Sequence, residues 1–311
     1  MRQVHERLVA QVRAHRMWGP GDTVRVAVSG GRDSVVLLHA LIATQGLHGA
    51  ELEVMSVDHG TRQDSAADAD WAADLAREWG VPARRVSLAL GSDASEATCR
   101  DARRRVLLQG EPAAIALGHH ARDLVETLLM RLMRGTGPRG LPGMVPWSDP
   151  WARPLLDVPY DDVVAYASAH GLSWREDPSN TSSRYLRNRV RSELLPLMED
   201  LRTGSLGSMA RTAELLGEQS QWLDEMATER AAGDPWDTTF LATAPLPLVR
   251  HAVSKAEPGL GHRHIDALRR LAERGTGQLQ LPGGRLAIAE AGRVRTCTLQ
   301  DSPSTGGACD T

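Results

Sequence analysis

Thr23-Val24-Arg25-Val26-Ala27-Val28-Ser29-Gly30-Gly31-Arg32-Asp33-Ser34-Val35-Val36-Leu37-Leu38 is the stretch on which the fold turns. Alternating β-branched residues run into two glycines and then into an apolar helical run, so a strand passes sharply into a helix. The two glycines allow successive N–H groups to face one anion, the helix N-terminus adds its dipole, and the hydroxyls of Ser29 and Ser34 can donate. Ser29, Gly30, Gly31, Arg32, Asp33 and Ser34 therefore form a phosphate cradle. A carboxylate beside a polyphosphate needs a cation between them, which assigns Asp33 to Mg²⁺. A lysine-bearing phosphate loop is excluded, because the only lysine, Lys255, stands in Val253-Ser254-Lys255-Ala256-Glu257.

Outward from this segment, short apolar runs alternate with amphipathic ones as far as Arg134, the pattern of an α/β domain with a doubly wound parallel sheet. Strands are expected at 23–28, 52–57 and 113–117, with a fourth at 84–88. Helices are expected at 34–44, 65–79, 95–109 and 122–134, the first three with a serine placed to cap them. Residues 135–157 hold five prolines and four glycines and read as a long ordered loop. A helix over 159–170, a segment over 173–181 and a basic helix from 183 to about 198 complete a catalytic domain of residues 1–202. Beyond it the texture changes to helices at 208–232, 245–256 and 264–274 and short strands at 278–281, 285–289 and 293–298. These make a smaller, mostly helical C-terminal domain over 203–300, and 301–311 is a flexible tail.

The 311 residues are 41% hydrophobic and 24% charged, ordinary for globular protein and enough for two cores. No stretch approaches the roughly 20 apolar residues of a membrane span, and a charged helix opens the chain without a secretory apolar run, so a cytoplasmic protein is expected. Cys99, Cys297 and Cys309 are too far apart for a disulfide framework or a paired-cysteine metal or sulfur-transfer site. Net charge is -3, so an RNA partner would have to be held by local patches. Such patches exist: residues 184–191 carry four arginines and no acid, and 262–295 carry seven arginines against three acids. Oligomeric state stays open, a homodimer included.

Strand-SGGxDS-helix resembles the phosphate loop of the N-type ATP pyrophosphatases. Further motifs narrow the resemblance: Asp58-His59-Gly60, Glu96-xxx-Arg100-xx-Arg103, Gly118-His119-His120-Ala121-Arg122-Asp123-Leu124-Val125-Glu126-Thr127, Arg134-Gly135-Thr136-Gly137, Arg153-Pro154-Leu155-Leu156, and Glu176-Asp177-Pro178-Ser179-Asn180 with Arg187-Asn188-Arg189-Val190-Arg191. Together they resemble the tRNA(Ile)-lysidine synthetases. The resemblance implies ATP-dependent ligation of free L-lysine to the wobble cytidine of the CAU anticodon of an isoleucine tRNA, through an adenylated cytidine, with AMP and pyrophosphate released. It implies ATP and Mg²⁺ as cofactors, nucleotide contacts from Asp58, His59 and Gly60 beside the phosphate loop, and a tRNA- and substrate-binding role for the 203–300 domain. Substrate contacts are expected from His119, His120, Asp123, Glu126, Asn180, Arg187, Asn188 and Arg191, with Asp33, Asp123, Glu126 and Arg191 in the catalytic set. Asp123 and Glu126, spaced i, i+3 on one helix face, would hold the lysine ammonium or a metal, and Arg191 or Arg187 its carboxylate. Arg122 departs from the family, whose members carry a second acid before Asp123. Three rivals remain: a 2-thiocytidine thiolase, which lacks the cysteine pair it needs; a small-molecule amide former, which leaves the arginine block idle; and a tRNA-binding module without turnover.

Overall fold

The computed structural model describes residues 2–60, 65–88, 90–91, 94–137, 139–176 and 186–298. It divides into two compact units, one formed by the residues up to Arg134 with Gly143–Glu214, the other by Gly135–Pro142 with the residues from Leu215 onward.

The first unit opens with α1 (Arg2–Ala14), followed by β1 (Thr23–Ala27), α2 (Arg32–Ala43), the single turn α3 (Gln45–His48), β2 (Glu51–Asp58), α4 (Ser65–Glu78), β3 (Ala83–Ser87), α5 (Glu96–Leu107), β4 (Ala114–Ala116) and α6 (Ala121–Arg134). Two short strands, β5 (Trp147–Ser148) and β6 (Trp151–Ala152), precede α7 (Tyr160–Ala169). The strand order is β3-β2-β1-β4-β6-β5, parallel throughout except for the β5–β6 pair. Succession runs outward from β1 to β3 and then reverses to β4, so the switch point lies between β1 and β4, where the carboxyl ends of strands in such sheets hold ligands.

Alternation along β1 explains the layering. Val24, Val26 and Val28 are buried against Leu37, Leu38 and Leu41 of α2 and Val4, Leu8 and Val12 of α1. On the other face Met55, Ile115 and Trp151 pack with Val106 and Leu107 of α5. Arg25 points to that second face and is buried: its guanidinium binds Glu53 and donates to the carbonyls of Leu107 (2.6 Å) and Gln109 (2.5 Å). Strand β1 is thereby tied to the end of α5.

Two expectations change here. The 135–157 stretch is no plain loop, since β5 and β6 extend the sheet by two strands; two-residue strands between prolines carry no periodicity to find. Of the three expected serine caps, Ser95 acts as one, accepting from the Thr98 N–H at 3.1 Å. Helix α2 has Gly31 at its N-cap with no side-chain cap, and the hydroxyl of Ser65, the first residue of α4, donates to Asp58 at 2.6 Å instead. Further along come α8 (Leu186–Arg189), a wider π-type turn over Val190–Leu194, and α9 (Leu195–Leu201).

Helix α10 (Ser205–Arg230) belongs to the first unit up to Glu214 and to the second from Leu215. The second unit continues with α11 (Thr238–Thr243), α12 (Leu246–Ala256) and α13 (His262–Arg274), then an antiparallel meander of β7 (Gly277–Leu281), β8 (Arg285–Glu290) and β9 (Arg293–Thr298). Phe240, Leu241, Val249, Val253, Ile265, Leu268 and Leu271 are the centre of its core. The turn α11, capped by the Asp237 carboxylate on the Phe240 N–H at 2.7 Å, was too short for a helical period.

Replacing Arg25 by Ala strands two buried carbonyls and removes the partner of Glu53. A loss of about 2 to 4 kcal/mol in chemical denaturation is expected, with Arg25→Lys recovering only part of it.

Candidate active site

Gly30 has φ +86° and carries the chain from β1 into α2 in a conformation that glycine alone adopts without strain. Ser34 closes the turn: its hydroxyl donates to the Gly31 carbonyl at 2.7 Å and accepts the Ser29 N–H at 3.2 Å. The Arg175 N–H grips the Gly30 carbonyl at 2.9 Å from outside. Gly118, just past β4, lies so close to this turn that a Cβ there would stand 2.8 Å from the Asp33 carbonyl oxygen and 3.0 Å from the Ser34 nitrogen. Arg32 turns toward α7, donating to the Tyr160 hydroxyl at 2.6 Å and lying 3.4 Å from Asp33.

Asp33 is one-third exposed, and its Oδ2 lies 3.5 Å from Nε2 of the buried His120. The same Nε2 is 3.5 Å from Asp123 Oδ2. Burial works against the Asp33 carboxylate, but the His120 contact outweighs it and leaves its pKa below the usual value. For His120 burial favours the neutral ring, yet Asp123 and Asp33 outweigh it and raise its pKa, favouring the charged ring between two acids. Protein groups thus supply part of the neutralisation that the sequence assigned wholly to a metal.

Asp123 is the third residue of α6 and accepts the His120 N–H at 3.1 Å, one half of a capping box that fixes its rotamer. Glu126, one turn on, is fully buried. Arg191 reaches both: Nε to Glu126 Oε1 at 2.7 Å, Nη2 to Glu126 Oε2 at 3.0 Å and to Asp123 Oδ1 at 3.1 Å. Arg187 adds a contact at 3.7 Å to Glu126 and donates to the Thr127 hydroxyl at 3.3 Å.

The wide turn over Val190–Leu194 presents Arg191, and Pro196 shapes it. Leu195 N–H bonds to Val190 O, so the next donor in the wider spacing would be residue 196, which is proline and has none. The Arg191 carbonyl is left without a helical partner, and Arg122 Nη2 supplies one at 2.7 Å. Arg122, stacked 4.7 Å from the Tyr160 ring centre and 3.8 Å from Glu126, therefore supports the acids.

Asp58, expected to flank the nucleotide, is buried and fully engaged: Gly60 N–H at 2.8 Å, Ser65 hydroxyl at 2.6 Å, Arg85 at 2.8 Å and Ser87 hydroxyl at 3.1 Å. Burial opposes its charge, but these donors pull its pKa down to about 2. It brackets the turn that presents His59, whose buried Nδ1 has no partner among the described residues. His119 Nδ1 is likewise unpartnered; burial first, then Arg153, Arg103 and Arg187, push this ring down to about 4, against Asp123, so it is neutral. Asn188 lies on α8, where its carbonyl accepts the Ser192 hydroxyl at 2.8 Å. Asn180 lies outside the described residues. Sequence reasoning missed Tyr160, Arg85 and Ser65, single polar residues with no pattern around them.

The PP-loop domain family matches residues 3–198. A tRNA(Ile)-lysidine synthase of Nocardia farcinica is 37% identical, the match covering 94% of this chain and 96% of that protein. One of Salinispora arenicola is 38% identical over 87% and 89% of the two chains. The chain belongs to the tRNA(Ile)-lysidine synthase family. A longer synthase, from Symbiobacterium thermophilum, is 36% identical, with 93% of this chain matched to 68% of it. Among solved structures, a U34-tRNA thiolase from Methanococcus maripaludis shares the fold at a TM-score of 0.58 and 20% identity, covering 70% of this chain and 79% of that one. Membership in the synthase family makes this an α/β, PP-loop enzyme that forms a C–N bond. No helix of the described residues is long and apolar enough to cross a membrane.

Gly118→Ala drives a methyl into the phosphate turn and forces its backbone to shift, so ATP affinity measured by calorimetry is expected to fall at least tenfold, with a lowered melting temperature as well. Asp58 gives a pH signature. Its folded pKa of about 2 lies below an unfolded value near ~3.9, so its contribution, about 2 kcal/mol, is present above pH ~4 and lost as pH falls toward 2. The stability gap between wild type and Asp58→Asn should shrink across that window in urea melts.

Proposed function

We propose that this chain joins free L-lysine to the wobble cytidine of a CAU-anticodon isoleucine tRNA, after ATP has adenylated the cytidine carbonyl oxygen. The observation that carries the reading is the Arg191 pair with Glu126 and Asp123, set one histidine away from Asp33 of the phosphate turn. The phosphate turn thus addresses a triphosphate, and near it stand a cation and an acid side by side, the complement of a zwitterionic amino acid head group.

In the first half-reaction charge builds on the departing pyrophosphate. N–H groups of Gly30 to Asp33, the Ser29 hydroxyl and the α2 dipole meet it, while Ser34, bonded to the Gly31 carbonyl, holds the turn in shape. Asp33 fits magnesium as a single carboxylate ligand, since this ion is held by one or two carboxylates together with substrate phosphates; among the described residues no three histidine, cysteine or acidic side chains form a metal cage. Bound there, Mg²⁺ would offset phosphate charge. The unpartnered Nδ1 atoms of His59 and His119 support nucleoside contacts at the carboxyl edge of the sheet. Of the two acids, Asp123 keeps some exposure and suits the lysine ammonium, whereas Glu126, sealed from solvent, holds Arg191 in place for the carboxylate. Asn180 and Asn188 complete the proposed substrate set, and the reaction belongs to the cytoplasm, where its substrates are.

A basic stripe supports the tRNA half of the reading. On α13, Arg263, Arg270 and Arg274 are exposed at i, i+7 and i+11, one face of the helix. Unlike Arg269, paired with Glu273, none of the three has an ion pair among the described residues. Such a face neutralises RNA phosphates.

The test is AMP release from ATP and Mg²⁺ with labelled lysine, with and without unmodified tRNA. AMP together with label in the tRNA is expected; AMP without RNA would overturn the reading in favour of a small-molecule amide former. Asp123→Asn is expected to raise the lysine KM at least tenfold and leave that for ATP near wild type. An unchanged lysine KM would remove Asp123 from the lysine site.

A further inference from the structure

Arg153 is a half-buried cation that the network of acids does not touch. It follows β6, one step beyond the Ala116–Ala152 register pair, at the carboxyl edge of the sheet and on the same strand face as Trp151. Its Nη1 donates to the Val145 carbonyl at 2.9 Å, its buried Nε has no partner, and among the described residues no carboxylate pairs with it. Arg104 of α5 lies 4.6 Å above the Trp151 ring, also without an acid partner among those residues, with its N–H edges free of the stack. From the neighbouring strand end His119 brings a third polar group whose buried Nδ1 is unpartnered. Burial and Arg104 push Arg153 down to about 10, and Arg153 in turn adds to the lowering of His119. Uncompensated positive potential with buried, unsatisfied donors is the electrostatic form of a site whose missing member is an anion.

We propose that Arg153, with Arg104 and His119 beside it, is an anion subsite that takes a phosphodiester of the RNA strand carrying the target cytidine. The inference rests on the reading above that RNA is the substrate, and adds where its backbone is gripped. A phosphate ligand has two sources here, the RNA strand and the ATP triphosphate. Strand geometry favours the RNA: β6 is two strands from β1, about 9.6 Å across the sheet, and the triphosphate already has its own donors in the Ser29–Ser34 turn. A base delivered to that turn within a chain brings a phosphodiester on either side of it.

The experiment measures equilibrium binding of unmodified isoleucine tRNA to the full-length protein without ATP across a salt series, for wild type, Arg153→Gln, Arg153→Lys and Arg104→Gln. Affinity is expected to fall about tenfold in Arg153→Gln, and the slope of log affinity against log salt to shrink by roughly 0.7 to 0.9, one phosphate contact. Arg153→Lys should restore the salt slope more than the affinity, which a packing role for the side chain would not produce. Arg104→Gln, at an exposed position, carries the test if Arg153→Gln does not fold, and a reduced slope is expected there too. Unchanged affinity and slope in folded variants would overturn the subsite, and so would an unchanged slope with a raised ATP KM, which would assign the phosphate to the nucleotide. Wild type that neither binds this tRNA nor labels it would instead bring down the proposed function.

Discussion

Glu126 is a carboxylate with no exposure to water, and a charge in that position must be neutralised by partners of good geometry or it unfolds what surrounds it. Arg191 supplies the geometry, two parallel N–H bonds with a further one for Asp123. From this pair a line of alternating charge runs through Asp123 and His120 to Asp33. The phosphate turn after β1, the start of α6 and the turn before α9 are separate in sequence. The charge line makes them one object, and removing Arg191 takes from the buried Glu126 its two close N–H donors, leaving only the longer contacts of Arg187 and Arg122.

That dependence explains why some of the site could be read from the chain and some could not. Ser29 to Ser34 are contiguous between a strand and a helix, so the turn they form follows from local conformation alone. Asp123 and Glu126 are three apart in an evident helix, so their shared face is equally local. Which cation meets them is not: Arg187 and Arg191 lie more than 60 positions away, and the choice depends on a widened turn whose only sign is Pro196 within a helical pattern. The helix–strand alternation was legible for the same reason, since each long element carries its own period. Strands β5 and β6 carry none, because two residues cannot alternate visibly and their pairing to β4 is a tertiary fact.

Residue type alone does not separate a ligand from a brace. Asp58 looks like a ligand because it precedes His59-Gly60 at a strand end, yet four donors saturate it. A carboxylate so placed fixes a loop and has no lone pairs to spare for a nucleoside. Trp151, near a proline-rich stretch, is buried beneath Arg104. Exposed polar chemistry and buried bracing use the same residue types; only the count of satisfied partners separates them.

Arginine carries nearly all of the positive charge, and at position 191 the choice has a mechanical consequence. A guanidinium can hold Glu126 with two N–H groups and still offer another to Asp123, because its five donors lie fixed in one plane. A lysine there would present a single point charge, and satisfying Glu126 would draw it away from Asp123. The exposed edge of Arg191 and the partly exposed Asp123 then form a fixed pair of opposite charges facing outward. Because that pair is set by a buried carboxylate, its spacing is defined before any ligand arrives, which lowers the reorganisation that binding there would cost.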